Sequence, residues 1–429
     1  MPVNISRIRI GIFQSISRWR AWKSLVLFFA LIGPGLITSN VDNDAGGITT
    51  YSLAGAEFGL DFLWILIPVT LALIIIQEMC ARMGVVSGKG LSDLIRERFG
   101  AKITFYLMIV LFLTNLGNTV SEFAGVAASL EIFGMSKYIS VPLGAIFVWW
   151  LVVKGNYKTV EKAFLVACLF YLSYIISGFM AKPDWGEIRS AFLTPTLRFD
   201  PPFLIMAVGI IGTTIAPWMQ FYLQSSVVDK GLKVDDYKYT RMDVIFGSLT
   251  VNIVAFFIIM LTATTLFHAG IRIESAKDAA QALAPLAGEY CAWLFAFGLL
   301  NASLFAASIL PLSAAYTICE AFGWESSLNR KFAEAPQFYG LYFLMIFLGA
   351  GIVLLPSMPL ISIMFYSQVI NGILLPFILI FMLLLINDKR VMGQHTNSFF
   401  MNILTLLIVV ALMLLSGAMI FISLRGIVS

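Results

Sequence analysis

Apolar runs of about 20 residues, separated by short polar loops, recur along the whole chain, the pattern of helices that cross a bilayer. About eleven such spans can be marked out at that length. The first runs from Leu25 to Phe58, the second from Phe62 to Met83 and the third from Thr104 to Ala127. The fourth, Val141 to Val153 with flanks, is short for a span, and the fifth is Ala163 to Met180. The sixth covers Pro202 to Val228, the seventh Val244 to Phe267 and the eighth Ala292 to Ile318. Phe338 to Leu355, Leu360 to Ile386 and Phe399 to Ile422 complete the series. The expected fold class is an all-α integral membrane protein.

Two spans are broken. Span one carries Asn40, Asp42, Asn43 and Asp44, followed by Ala45-Gly46-Gly47. Such a cluster cannot face lipid as a plain helix. Ionisable groups at membrane depth line a cavity or pathway, and unwound backbone is tolerated there only when buried in protein or facing water. Span six is interrupted at Ile215-Ala216-Pro217-Trp218, where proline removes one backbone donor. Spans one and six are separated by an odd offset, so the two halves of the chain are inverted relative to each other. Paired broken helices in corresponding positions point to a substrate site between inverted repeats, as in secondary transporters. The expected organisation is a tail at 1–24, a five-helix repeat at 25–182, a second at 200–388, and an additional helix at 398–424.

Charge orients this arrangement. Arg7, Arg9, Arg18, Arg20 and Lys23 precede span one, and every second loop thereafter is basic. The positive-inside rule then sets the amino terminus in the cytoplasm, and an odd number of spans sets the carboxyl terminus outside. Residues Met1 to Lys23 lack a long apolar core with a cleavage site, so they are expected to be a cytoplasmic tail rather than a signal peptide. Composition agrees with the class: 59% of residues are hydrophobic and 12% charged, and mean hydropathy is +0.90. The net charge of +4 is spread over loops and indicates no nucleic-acid partner. The four cysteines lie far apart in or beside apolar runs, without metal-ligand spacing. His268 and His395 are the only histidines and fall in predicted loops, and no nucleophile–base spacing appears, so an enzyme is not expected.

The two breaks offer oxygen. Asp44 and Asn40 share a helix face until the backbone unwinds, while Asp42 lies on a different side. Asn43 either lines the cavity or caps a half-helix. On the facing wall, Pro217 should leave carbonyls free between Thr213 and Ala216. Gln368, on the apolar tenth span, either adds a side-chain oxygen or bonds a neighbouring helix. The glycines either open the helix for a cation or permit close helix packing. Carboxylate, amide, hydroxyl and carbonyl donors suit magnesium, calcium or manganese, and magnesium gives up its waters reluctantly. Met219 lies beyond the proline and reads as a packing residue. Glu122, deep in span three, needs a buried partner or a water path, as a structural acceptor or as an auxiliary transport group. Glu78 and Arg82 are spaced for a local ion pair.

Over most of its length, from Leu25 to Ser398, the chain resembles the NRAMP family of divalent metal transporters. The matching stretches include Gly33-Pro34-Gly35, Asp44-Ala45-Gly46-Gly47, Ala54 to Gly59, Ala81 to Gly84, Lys182 to Glu187, Gly212 to Ser225, Gln368 with Leu375-Pro376, and Asn387 to Gly393. The resemblance implies a LeuT-type fold with an inverted 5+5 repeat and the metal between the unwound centres of spans one and six. It assigns Asp44 as the retained carboxylate ligand, Thr213 as a carbonyl ligand and Gln368 as the family's glutamine. Gly47 stands where the family has an asparagine ligand, and Ala216 where it has a methionine thioether followed by Pro-His. Thr119 replaces a family acidic residue implicated in proton transfer, and Gln224 replaces a family histidine, although Glu122 is kept.

These departures resemble the NRAMP-related magnesium transporter branch. The expectation is a secondary transporter of magnesium, and of manganese also, working by alternating access without coupled protons. The alternative is a proton-coupled manganese or iron transporter, and a more distant one a sodium-coupled importer of a small solute whose ammonium group meets Asp44. The metal is cargo, no resident cofactor is implied, and the expected partners are the ion and the lipid bilayer, with the monomer as the working unit.

Overall fold

A computed structural model describes residues 38, 41–153, 168–328 and 330–428, with side chains to residue 424 except at 153 and 168. Among them there are helices and connecting turns and no strands. The tail, Asn40, most of the first half of span one and residues 154–167, with the start of span five, lie outside the described residues.

In chain order the helices are α1 Ala45–Phe58, α2 Leu66–Ser87, α3 Leu91–Phe99, α4 Ala101–Glu131 and α5 Lys137–Val153. They continue with α6 Leu172–Met180, α7 Trp185–Leu193, α8 Pro201–Thr214, α9 Pro217–Asp229 and α10 Tyr237–Thr262. The last are α11 Cys291–Phe322, α12 Pro336–Val353, α13 Leu360–Ile386 and α14 Phe399–Val428. Among the described residues eight helical stretches are long and apolar enough to cross a membrane, and the expected fourth and fifth spans correspond to two shorter apolar helices, Lys137–Val152 and Leu169–Met180. Spans three and eight are longer than their apolar cores. Helix α4 has 31 residues and α11 has 32, so each rises about 45 Å, beyond the hydrocarbon thickness.

Burial follows position in the bundle. In its most apolar window, 89% of the Pro201–Asp229 stretch is buried, against 28% of Phe399–Leu424. Broken span six is therefore central and the additional helix peripheral. Large apolar side chains such as Leu113, Ile146, Phe347 and Leu414 stay exposed on the outer faces, where lipid takes the place of a protein partner. Inside, backbones approach at small residues. A Cβ on Gly212 would meet the backbone of Gln368 and Gly372, which lets α8 lie directly on α13.

Both breaks are present. The chain is helical at Val41 and Asp42, bends at Asn43 and Asp44, and resumes as α1 at Ala45. The first break therefore falls before the glycines rather than through them. The reason is capping: the Asp44 side chain accepts a hydrogen bond from the Gly47 N–H, which makes Ala45, Gly46 and Gly47 the first turn of a helix. In span six, α8 ends at Thr214, Ile215 and Ala216 are unwound, and Pro217 opens α9. Proline at a first helical position has no donor to leave unsatisfied there.

Candidate functional site

The two breaks meet at Gly47. A Cβ there would lie 2.5 Å from the Asp42 backbone oxygen, 3.2 Å from Thr213 Oγ1 and 3.4 Å from Asp44 Oδ1. Three oxygens from the two broken spans thus converge on the missing side chain of one glycine. Tyr51 Oη and Thr214 Oγ1, 2.7 Å apart, hold α1 to the end of α8 beside this point.

Asp44 is the pivot of the first break. It is buried, its Oδ1 accepts from the Gly47 N–H at 2.7 Å, and its carbonyl accepts from the Ile48 N–H at 2.9 Å. The cap orients one carboxylate oxygen along the helix start and leaves the other outside that bond. Asn43 is fixed through its backbone, whose carbonyl accepts from Tyr171 Oη at 2.7 Å, while its own side-chain Oδ1 is buried without a partner.

Glu122 finds its partner across the bundle. Its Oε2 accepts from the Ala45 N–H at 3.2 Å, the first amide of α1 and the residue next to Asp44. The helix-start position suits an acidic group. Oε1 has no partner.

Gln368 reaches the first break from the tenth span. A Cβ on Gly46 would fall within the Gln368 side chain, 2.7 Å from Cδ and 3.0 Å from Cγ. The Gln368 amide is held within its own helix: Oε1 accepts from Asn371 Nδ2 at 2.8 Å and Nε2 donates to Ser367 Oγ at 3.3 Å. Its oxygen keeps one lone pair beyond the Asn371 bond. Asn371 in turn exchanges two hydrogen bonds with Asn118 on α4.

On span six, Pro217 has no N–H to return to the Thr213 carbonyl, and Thr213 Oγ1 is buried without a partner. The Ala216 carbonyl is less free than the sequence indicates, because it accepts from the Met219 N–H at 3.1 Å. Met219 is buried as a packing residue, and Trp218 is among the largest fully buried side chains. The thioether of Met364, one turn before Gln368, is engaged by Thr49 Oγ1 at 3.6 Å. Among the described residues no three His, Cys, Asp or Glu side chains converge on one point. A cation between the breaks would draw the rest of its shell from amide, hydroxyl and carbonyl oxygens and from water.

The structure brings Asp44, Gly47, Thr213, Gln368 and Glu122 to the junction of the breaks, with Ala216 at the unwound end of span six and Asn40 outside the described residues. Sequence reading missed Asn118, Asn371 and Tyr171, which fasten the site, and set Asp42 aside. Asn371 sits three positions after Gln368 and Asn118 four before Glu122, helical spacings that were available as a signal. Away from the site, the Arg82–Glu78 ion pair forms at 3.2 Å, as its spacing predicts.

The sequence matches the family described as natural resistance-associated macrophage protein-like over residues 35–422. It is 27% identical over 413 residues to a divalent metal cation transporter MntH of Caldanaerobacter subterraneus, covering 93% of this chain and 94% of that one. It is 24% identical to the MntH of Bacillus subtilis, covering 92% of each. Among solved structures it resembles the Eremococcus coleocola manganese transporter in complex with an aromatic bis-isothiourea compound, with a TM-score of 0.77, 21% identity, and 95% of this chain and 88% of that one covered. It also resembles Mhp1, a nucleobase-cation-symport-1 transporter, in a closed conformation, with a TM-score of 0.56, 13% identity, and 92% and 93% covered.

Proposed function

Because this chain belongs to the natural resistance-associated macrophage protein-like family, we propose that it carries divalent metal cations across a membrane by alternating access, with magnesium the preferred cargo and manganese also accepted. The observation that carries this reading is the donor set at Gly47: Asp44 Oδ1, the Asp42 carbonyl and Thr213 Oγ1 are all hard oxygens. Oxygen ligands with retained water suit magnesium and manganese. Gly47 and Ala216 add no ligand of their own that would strip the ion of water, and the Met364 thioether is engaged by Thr49 Oγ1.

In this reading Asp44 supplies charge, Thr213 and Ala216 supply carbonyl oxygen, and Gln368 supplies its amide oxygen from the tenth span. Gly47 leaves the space. Asn43 and Glu122 stand behind these ligands. The two halves, 25–182 and 200–388, rock against each other around the ion, with the amino terminus cytoplasmic, the carboxyl terminus outside and one chain as the working unit. The ion moves without a coupled proton.

A second reading is supported by Glu122. It is a buried titratable group at the start of the helix that Asp44 caps, the kind of side chain a proton relay needs. Relatives of this chain are named divalent metal cation transporters, and its structural neighbour is a manganese transporter. Proton-coupled manganese transport is therefore the competitor. Purified protein in liposomes that hold a magnesium dye or a pH dye separates the two. Magnesium uptake without internal acidification is the expected result. Manganese uptake that acidifies the lumen and ignores excess magnesium overturns it in favour of the second reading.

A further inference from the structure

Asp42 is a buried carboxyl group with no hydrogen-bond partner among the described residues. Its side chain is 2% exposed and neither Oδ1 nor Oδ2 has a hydrogen-bond partner. Among the described residues no lysine or arginine donates to it, and two positions on stands Asp44, another acid. Its position is the last helical residue before the first break, and its own carbonyl is one of the three oxygens around Gly47. Thr213 Oγ1 and Asn43 Oδ1, also buried and unpartnered, lie on the same junction. An ionisable side chain at this depth marks an ion site or pathway.

We propose that Asp42 is the second carboxylate of the cargo site: with Asp44 it balances the two charges of one divalent, partly hydrated cation, contacting a retained water of the ion. This rests on the reading of the chain as a divalent-cation transporter and deepens it. A monovalent ion leaves one carboxylate unbalanced and is rejected on charge. A divalent ion makes the loaded site neutral, which removes the field barrier to reorienting it within the membrane. The lack of three acidic side chains at one point fits a shell completed by water rather than by a third carboxylate.

The test uses full-length protein in detergent, comparing wild type with Asp42→Asn and Asp42→Glu. Without metal, Asp42→Asn should melt at or near the wild-type temperature, because the carboxyl it replaces has no hydrogen bond to lose. Its stabilisation by magnesium chloride should shrink, and its magnesium and manganese dissociation constants by calorimetry should rise at least about tenfold. Asp42→Glu, which keeps the charge, should bind more tightly than Asp42→Asn. Lower metal-free melting or failure to fold in Asp42→Asn overturns the proposal, since the carboxylate is then structural. So does magnesium affinity in Asp42→Asn equal to that of wild type. Wild-type protein that takes up no divalent metal in liposomes defeats the transporter reading itself, a separate result.

Discussion

Asn118 and Asn371 exchange two hydrogen bonds, 3.0 and 2.9 Å long, across the interface of α4 and α13. The same Asn371 amide donates to Gln368 Oε1 at 2.8 Å. A reciprocal amide pair buried between two helices fixes their relative height, and here it also sets where Gln368 meets the first break. Replacing Asn371 by Ala strands the Asn118 amide and should cost about 1–3 kcal/mol of stability. It should also lower magnesium uptake as strongly as Gln368→Ala does. The double variant should add little to either, a non-additivity that uptake assays on the three proteins would reveal.

Gly46 and Gln368 occupy adjoining space. A methyl group at Gly46 pushes aside the far end of a flexible side chain, which moves without unfolding the backbone. Gly46→Ala should therefore melt close to wild type while losing about tenfold in transport, since the Gln368 amide no longer lies at the junction. Equal uptake by the two proteins would remove Gln368 from the site.

The family's asparagine cannot simply be restored at Gly47. Its Cβ would sit 2.5 Å from the Asp42 carbonyl, which is backbone and cannot swing away. Gly47→Asn should cost about 1–3 kcal/mol through overpacking and yield no gain in manganese over magnesium. A variant that melted normally and preferred manganese would show that this backbone accommodates the family's ligand after all.

Asp44 does two things that two substitutions separate. Asp44→Asn keeps an oxygen to accept from the Gly47 N–H, so the helix start should survive while metal binding weakens at least tenfold, about 1.4 kcal/mol. Asp44→Ala removes the cap as well and should lose about 1 kcal/mol more in stability. Calorimetry with manganese and thermal melting, read side by side, check both halves.

Glu122→Gln keeps an acceptor for the Ala45 N–H but cannot exchange a proton. With uncoupled transport, magnesium uptake by this variant should stay within about threefold of wild type and keep the same pH profile. If uptake collapses, or loses a pH dependence that wild type has, the proton-coupled reading gains.

Below the bundle, the Asp388 carboxyl is pulled down to about 2 by hydrogen bonds from Arg390, with the charge of Arg98 at 3.0 Å adding to it. A depressed acid stabilises the fold above its unfolded value near 3.8 and stops doing so as pH falls toward 2. Melting between pH 5 and 8 should thus be insensitive to this group, and Asp388→Asn should matter equally across that range. A melting difference between the two proteins that changed within it would contradict the assignment.

Hydropathy, charge asymmetry and two helix-breaking clusters were enough to read a multi-span helical bundle with broken first and sixth spans. Those features are local: apolar length against bilayer thickness, proline without a donor, carboxylates that cannot face lipid. The oxygen character of the site was legible for the same reason. Packing decided the rest. Whether the first break fell at the glycines or before them depended on Asp44 capping α1. Glu122 meets Ala45 across 77 positions, and Asn118 meets Asn371 across 253, distances over which no spacing rule operates. The sequence determined which groups this bilayer-buried junction has to accommodate. Only the tertiary structure decided that Glu122 receives a backbone donor, that Gln368 is held by an amide pair, and that the Asp42 carboxyl finds no hydrogen-bond partner among the described residues. A buried polar group's role is set by what the fold brings to it.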